Sequence, residues 1–350
     1  MLRSCLLLSL AVFGLNGVPA QHAHAQGVIP GTGTLIDYVG DTFEDPEWRF
    51  VNNYPKSSRE NDERLRSPTG YSANRRWFEG PERGQPELLK VIPTPEGGIA
   101  GSQYSLLMRT LHSGIPGRNS YDVQQDDLIV DCVSRLGTGI SPAEMPNAVV
   151  RVYLPPADQW ENRSGPQFGF RLGLTAHTQK SSGGLFGTRR HTELEPYWPG
   201  MWVHFRSKTD RGVEEDSALL KVRGNRLGHD FKVLDISKDQ FGWWTLGMSV
   251  TPDGMIHYYA SPGIDPLKPE DHLTSQYPYS FRAYQFRTFF FDVCNRNDGK
   301  TWSTPFVIDN AELHVVKATR ISSIVERKKK LAAQRATAKH NRSSHSRSRR

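Results

Sequence analysis

Residues 243–260 read WWTLGMSVTPDGMIHYYA, and this stretch decides the fold class. Its first half alternates. Trp244, Leu246, Met248 and Val250 fall on one face, and Trp243, Thr245, Gly247 and Ser249 on the other. The second half alternates again, with Ile256, Tyr258 and Ala260 opposite Met255, His257 and Tyr259. A period of two belongs to a half-buried strand. Between the halves lies Thr251-Pro252-Asp253-Gly254. Proline presets φ and glycine accepts a positive φ, so the segment predicts a β-hairpin. One hairpin face is apolar. The other carries Trp, Ser, His and Tyr.

Outward from the hairpin the pattern repeats. Strands are expected at 88–92, 104–110, 128–133, 149–154, 167–174, 201–206, 218–223 and 231–236, and after the hairpin at 284–294 and 306–316. Turns such as Thr94-Pro95-Glu96-Gly97-Gly98 and Ile115-Pro116-Gly117 separate them. No segment before residue 318 keeps a helical period. Many short strands with regular turns predict an all-β, two-sheet antiparallel sandwich over 41–317. Residues 26–40 read as a flexible leader. Asp41 to Phe50 reads as a first edge strand. Residues 52–87, dense in Asn, Ser, Arg, Glu, Pro and Gly, read as a long surface excursion around Trp77-Phe78; loops of this length often carry function.

The two ends differ from this body. A positive start, an apolar run over 5–15 and Ala23-His24-Ala25 form a secretory signal peptide over 1–25. The apolar run is too short to span a bilayer, and no later segment serves as a transmembrane helix. The expectation is an exported protein, in the periplasm, at the cell surface or beyond. Export places Cys132 and Cys294 where a disulfide is permitted; the plainer reading is two small buried hydrophobes. The formal charge of +7 belongs to the tail. Residues 320–350 hold eleven Lys/Arg and one Glu, and residues 26–319 balance at −4. Residues 321–338 predict a basic helix, and 341–350, without an apolar residue, predict disorder. After a signal peptide such a tail fits a polyanionic surface rather than nucleic acid, or it is simply a solubilising end.

Val149-Val150-Arg151-Val152-Tyr153-Leu154-Pro155-Pro156 with Trp160, and Trp243 through Gly254, resemble strand segments of the concanavalin A-like lectin/glucanase superfamily. Phe43-Glu44-Asp45 with Trp48, and Phe306 through Leu313, resemble the first and last strands of jelly-roll carbohydrate-binding modules. The resemblance covers about residues 41–316 and implies a jelly roll whose concave sheet binds a polysaccharide or glycan; fold alone does not imply activity. It also implies that Glu44 and Asp309 hold a structural calcium, although a hard cation wants six or more oxygens and two residues are in view. The retaining glucanases of this fold carry Glu-x-Asp-x-x-Glu on one strand. Here the nearest match, Glu193-Leu194-Glu195, is followed by Pro196 and lacks a third acid.

Period-two bookkeeping collects one site. If the strands share one concave sheet, its open face holds Arg171, Trp202, His204, Arg206, Trp243, His257, Tyr259, Gln285 and Arg287. Aromatic faces stack on sugars, and guanidinium forks take carboxylate or sulfate, so the set suits an acidic glycan. A solvated polar sheet face would have the same composition. A polysaccharide lyase needs a carboxylate neutraliser, a base and an acid, for which His204, Tyr259 and Arg206 are the candidates. A structural cell-surface protein held by its tail is the third reading. His191, Glu193 and Glu195 share a face but read as a loop salt-bridge set rather than a metal site. Ser181 through Gly187 reads as a loop, placed to act as a lid. No G-x-S-x-G, phosphate-binding Gly loop, C-x-x-C or H-E-x-x-H occurs.

Overall fold

The computed structural model describes residues 27–184 and 187–347. The segment read as a signal peptide lies outside them. The expected two-sheet antiparallel sandwich is present. Among the described residues one sheet has eight strands. Its order is His272–Gln276, Ile256–Pro262, Gly242–Val250, Pro146–Leu154, Phe306–Val315, Tyr104–Arg109 and Leu88–Pro93, and Thr34–Asp41 pairs with part of Phe306–Val315. The other sheet has ten. Its order is Asp230–Ser237, Ser217–Arg223, Gly200–Arg206, Gly165–Gly184, Gln285–Asn295, Gln124–Val130, Trp77–Glu79, Tyr71–Ser72 and Phe50–Val51. Gly187–Tyr197 returns along Gly165–Gly184 to make a long hairpin, so the segment read as a loop and lid is the tip of two paired strands.

The opening stretch folds as its pattern dictates. Val250 pairs with Ile256, and Gly254 turns the chain with φ +79°. Trp244, Leu246, Met248, Val250, Ile256, Tyr258 and Ala260 all enter the main core. Facing them from the larger sheet are Phe168, Phe170, Phe289 and Phe291, stacked edge and face at centroid distances of 5.5–6.2 Å. Each such fully buried side chain stabilises the fold by about 1.5–3 kcal/mol.

Three expectations are corrected. First, the leader is not loose. Thr34–Asp41 is a strand, and the first edge strand therefore precedes Phe43 and Trp48, which pack in a loop against Trp77. Residues 27–33 lie across the outer face of the smaller sheet. Ser249 Oγ donates to the Val28 carbonyl at 2.5 Å, and Gly31 N donates to Asn147 Oδ1 at 2.8 Å. Second, Cys132 and Cys294 are buried free thiols, not a disulfide. Cys294 pairs with Gln125, and Cys132 sits seven residues further along, roughly 20 Å away at strand spacing. A bridge needs Cα atoms within about 7 Å. Third, the C-terminal helix is longer than expected, Thr319–Arg347. It enters the region read as disordered because its first turns are anchored: Ile321 and Val325 reach the core, Arg320 pairs with Glu144, and Lys329 pairs with Asp37. No described helix is long and apolar enough to cross a membrane.

Candidate functional site

The outer face of the ten-stranded sheet carries two registered rows of side chains. In the first row, Trp202 pairs with Gly169, Gly169 with Asp292, and Asp292 with Asp127. In the second, Asp230 pairs with Arg223, Arg223 with Gly200, Gly200 with Arg171, and Arg171 with Phe290. The glycines are what let these rows close up. A Cβ on Gly169 would sit 2.4 Å from Asp292 Oδ2 and 2.8 Å from the Trp202 ring, and one on Gly200 would meet Arg171 Cγ at 2.4 Å. The rows floor an open groove of about 740 Å³. Pro81, Glu82 and Arg83 of the 52–87 excursion wall one side, and Trp198 and Tyr279 another.

The electrostatics of the groove are unusual. Asp292 is fully buried beside Asp127, and Gln125 Nε2 donates to both carboxylates, at 3.0 Å to Asp127 and 2.9 Å to Asp292. Burial, then the neighbouring Asp127, pushes Asp292 well above the carboxylate range, with Arg171 only partly offsetting them. Burial and Asp127 together favour its uncharged form. Arg171 stacks over Trp202 and Phe290 at 5.4 and 5.1 Å from the ring centroids, and Arg223 over Trp202 at 5.8 Å. Burial, then the Lys221 charge, lowers the pKa of His204 to about 4, so its imidazole is neutral. Burial opposes the Arg223 guanidinium, but its hydrogen bonds to Asp230 at 2.8 and 3.1 Å outweigh that.

Three buried polar atoms at or beneath this floor make no hydrogen bond, Arg171 Nε, Trp202 Nε1 and Asp292 Oδ2, and the first and last face each other at 3.9 Å. Buried polar groups are ordinarily satisfied, and each orphan costs on the order of 1–3 kcal/mol.

Of the nine residues grouped from sequence, Arg171, Trp202 and His204 line this groove. Arg206 is exposed at the end of its strand and is not among the lining residues. Gln285 and Arg287 bond to each other, and Gln285 packs under Gly139. Trp243, His257 and Tyr259 belong to the other sheet and face the opposite side of the molecule. They are also covered. Trp243 stacks on Tyr153 and donates to the Pro95 carbonyl at 3.3 Å beneath Gly97 and Gly98. His257 is held between Thr251 and Ser275, at 2.9 and 2.7 Å, with Gly27 against it and against Tyr259. The trio His204, Tyr259 and Arg206 is thus dispersed, since two sheets, not one, carry it.

Sequence reading missed Gln125, Asp127, Asp292, Arg223, Asp230 and Tyr279. A signal existed for Asp292, the lone acid in Phe289-Phe290-Phe291-Asp292-Val293. Gln124-Gln125-Asp126-Asp127 is polar throughout, which hid the first half of Gln124–Val130.

Glu44 and Asp309 do converge. Ser102 Oγ lies 2.9 Å from Glu44 Oε1 and 2.7 Å from Asp309 Oδ2. Ser102 lies between them, and no cluster of three or more His, Cys, Asp or Glu fit to hold a metal exists among the described residues. His191 and Lys180 pair with Glu193 on the hairpin surface, as the salt-bridge reading expects.

No family model matches the chain, and no curated protein matches it. Solved structures match at low identity. The binding domain of Paraclostridial Mosquitocidal Protein 1 aligns at 10% identity and TM-score 0.31, covering 75% of this chain and 50% of that one; the chain spans about half its length. The carbohydrate esterase vb_24B_21 from Shiga toxin-encoding bacteriophage phi24B aligns at 10% identity and TM-score 0.38, covering 74% of this chain and 95% of that one. The alginate lyase PA1167 from Pseudomonas aeruginosa aligns at 13% identity and TM-score 0.31, covering 65% and 85%. Likeness at this level leaves the function to be read from the groove.

Proposed function

We propose that the protein is an exported carbohydrate-binding β-sandwich that takes a polysaccharide along the groove on its ten-stranded sheet. The observation that carries this is the open groove of about 740 Å³, whose lining joins Trp198 and Trp202 with Arg171, Arg223 and Gln125. Sugars offer hydroxyls that both donate and accept, and apolar ring faces that pack on aromatic side chains. Arg171 and Arg223 add cationic partners for acidic substituents. Binding to arrayed neutral and acidic polysaccharides tests the reading, with flat signal on all of them counting against it. Export is tested by N-terminal sequencing of the mature protein, where a start other than one just after residue 25 removes the signal-peptide reading.

One observation supports catalysis on the same groove. Arg171, Gln125, His204 and Tyr279 border one space, and His204 is neutral and able to accept a proton. In a polysaccharide lyase, Arg171 and Gln125 would neutralise a uronate carboxylate, with His204 and Tyr279 moving protons. Growth of unsaturated-uronate absorbance on acidic polymers separates enzyme from binder; none at high protein concentration removes the lyase reading.

A further inference from the structure

A second buried cluster lies away from the groove, where the 52–87 excursion meets the sandwich. Lys56 is 3% exposed and Asp126 is fully buried. Lys56 Nζ stands 2.5 Å from Asp126 Oδ2 and 2.8 Å from Glu87 Oε1. Thr110 Oγ1 donates to Asp126 Oδ2 and to Glu87 Oε2, the latter at 2.8 Å. Glu87 also accepts from Leu111 N at 2.7 Å and His112 N at 3.1 Å. Asp126 Oδ1 has no partner. The lysine stem passes over Gly84, where a Cβ would lie 2.7 Å from Lys56 Cδ.

A buried ion pair normally stabilises little, because desolvation consumes the Coulombic gain. This cluster is poorer still as an ion pair, since one Asp126 oxygen is left unsatisfied. It is well arranged for something else: a primary amine against a carboxyl carbon, water excluded, and a second carboxylate touching the amine. We propose that Lys56 and Asp126 join in an intramolecular isopeptide bond, with Glu87 as the proton acceptor.

The step balances. Glu87 takes one proton from the Lys56 ammonium and keeps it. The free amine attacks Asp126 Cγ, forming the C–N bond. The carboxyl hydroxyl leaves with a second proton from the nitrogen, as water, and one N–H remains on the amide. No oxidant or co-reactant is needed. Transfer of the proton from Lys56 to Glu87 is the uphill step of this course. Burial, opposed by Lys56, raises the pKa of Asp126 and so favours the uncharged, electrophilic carboxyl. Burial opposes the Glu87 anion too, but Lys56 and the Thr110 and Leu111 donors outweigh it and hold its pKa low. Burial disfavours the Lys56 ammonium, and Asp126 and Glu87 outweigh that, so this proton must pass to Glu87 before attack. The product removes the charges of Lys56 and Glu87 and ties positions 70 residues apart. It would fix the excursion that walls the groove, as a disulfide fixes a loop.

Tryptic mass spectrometry of the full chain tests this. The expected product joins peptides 50–59 and 119–135, lighter than their sum by one water, with fragmentation placing the link at Lys56 and Asp126. Glu87→Gln should fold, by circular dichroism, and give peptides 50–56 and 119–135 separately, since an unlinked Lys56 is itself cleaved. Separate peptides from folded wild-type protein after prolonged incubation overturn the proposal and leave a buried ion pair. A link to Glu87 rather than Asp126, or a link that persists in Glu87→Gln, overturns the assigned roles. Wild-type peptides alone decide the bond if that variant fails to fold.

Discussion

The outer faces of the two sheets start alike. Each presents tryptophan, histidine and polar side chains at period two, Trp243 and His257 on one, Trp202 and His204 on the other. Only one is open. On the smaller sheet, residues 27–33 and the 93–98 turn lie over the row, and the ring nitrogens of Trp243 and His257 have protein partners: Trp243 Nε1 on Pro95, His257 on Thr251 and Ser275. On the larger sheet the row borders a groove, and Arg171, Trp202 and Asp292 each keep an atom without a hydrogen bond. Outward direction is thus a property of the strand; availability is a property of what the rest of the chain lays over it.

The largest expected effect is on stability. Trp243→Ala should destabilise the fold by about 3 kcal/mol, because it removes a buried indole and leaves a cavity under the 93–98 turn. Glycan binding per folded molecule should be unchanged. Denaturant melts together with binding isotherms check both halves, and lost affinity in folded Trp243→Ala would show that the covered face is the site. Trp202→Ala removes an indole just as buried and should also destabilise the fold, but it alone should weaken glycan binding, by about 2 kcal/mol or roughly 30-fold. Equal affinity in the folded variant would take the groove out of consideration.

A pH measurement sharpens the contrast at the covered face. Burial, with His272 adding, lowers the pKa of His257 from 6.5 to about 4. The unfolded chain takes this proton near pH 6.5 and the folded chain only near 4. The contribution of His257 is therefore complete above pH 6.5 and declines as pH falls toward 4. His257→Gln should lose less stability than wild type across that window, with a difference on the order of 1–2 kcal/mol. Parallel stability curves for the two proteins would mean that His257 does not stay neutral in the fold. The smallest effect is expected at Asp292. Burial and Asp127 favour its uncharged form, so Asp292→Asn should change stability by less than about 1 kcal/mol. A loss of several kcal/mol in thermal melts would show that Asp292 is ionised and paired with Arg171.

Much of the architecture was legible in advance. The strands over 201–206, 218–223 and 231–236 and the hairpin at 243–260 came out within a residue or two, with Trp244 inside and Trp243 outside, because side-chain period follows directly from backbone geometry. The strand Gln124–Val130 was found only from its apolar end, since Gln125 and Asp127 look like loop residues until a groove is known to face them. Half the site was hidden for the same reason.

By itself, then, the amino-acid order determined that this is a sandwich, which residues of each strand turn inward, and that a basic segment follows the body. Local alternation and turn chemistry suffice for those. Only the tertiary structure decided which strands share a sheet, because antiparallel pairing joins segments far apart in the chain and leaves no local trace. That pairing put Trp202 in a row with Gly169, Asp292 and Asp127 and sent Trp243 to the opposite face. It also brought Lys56 against Asp126 and Glu87, a contact that no spacing in the sequence records.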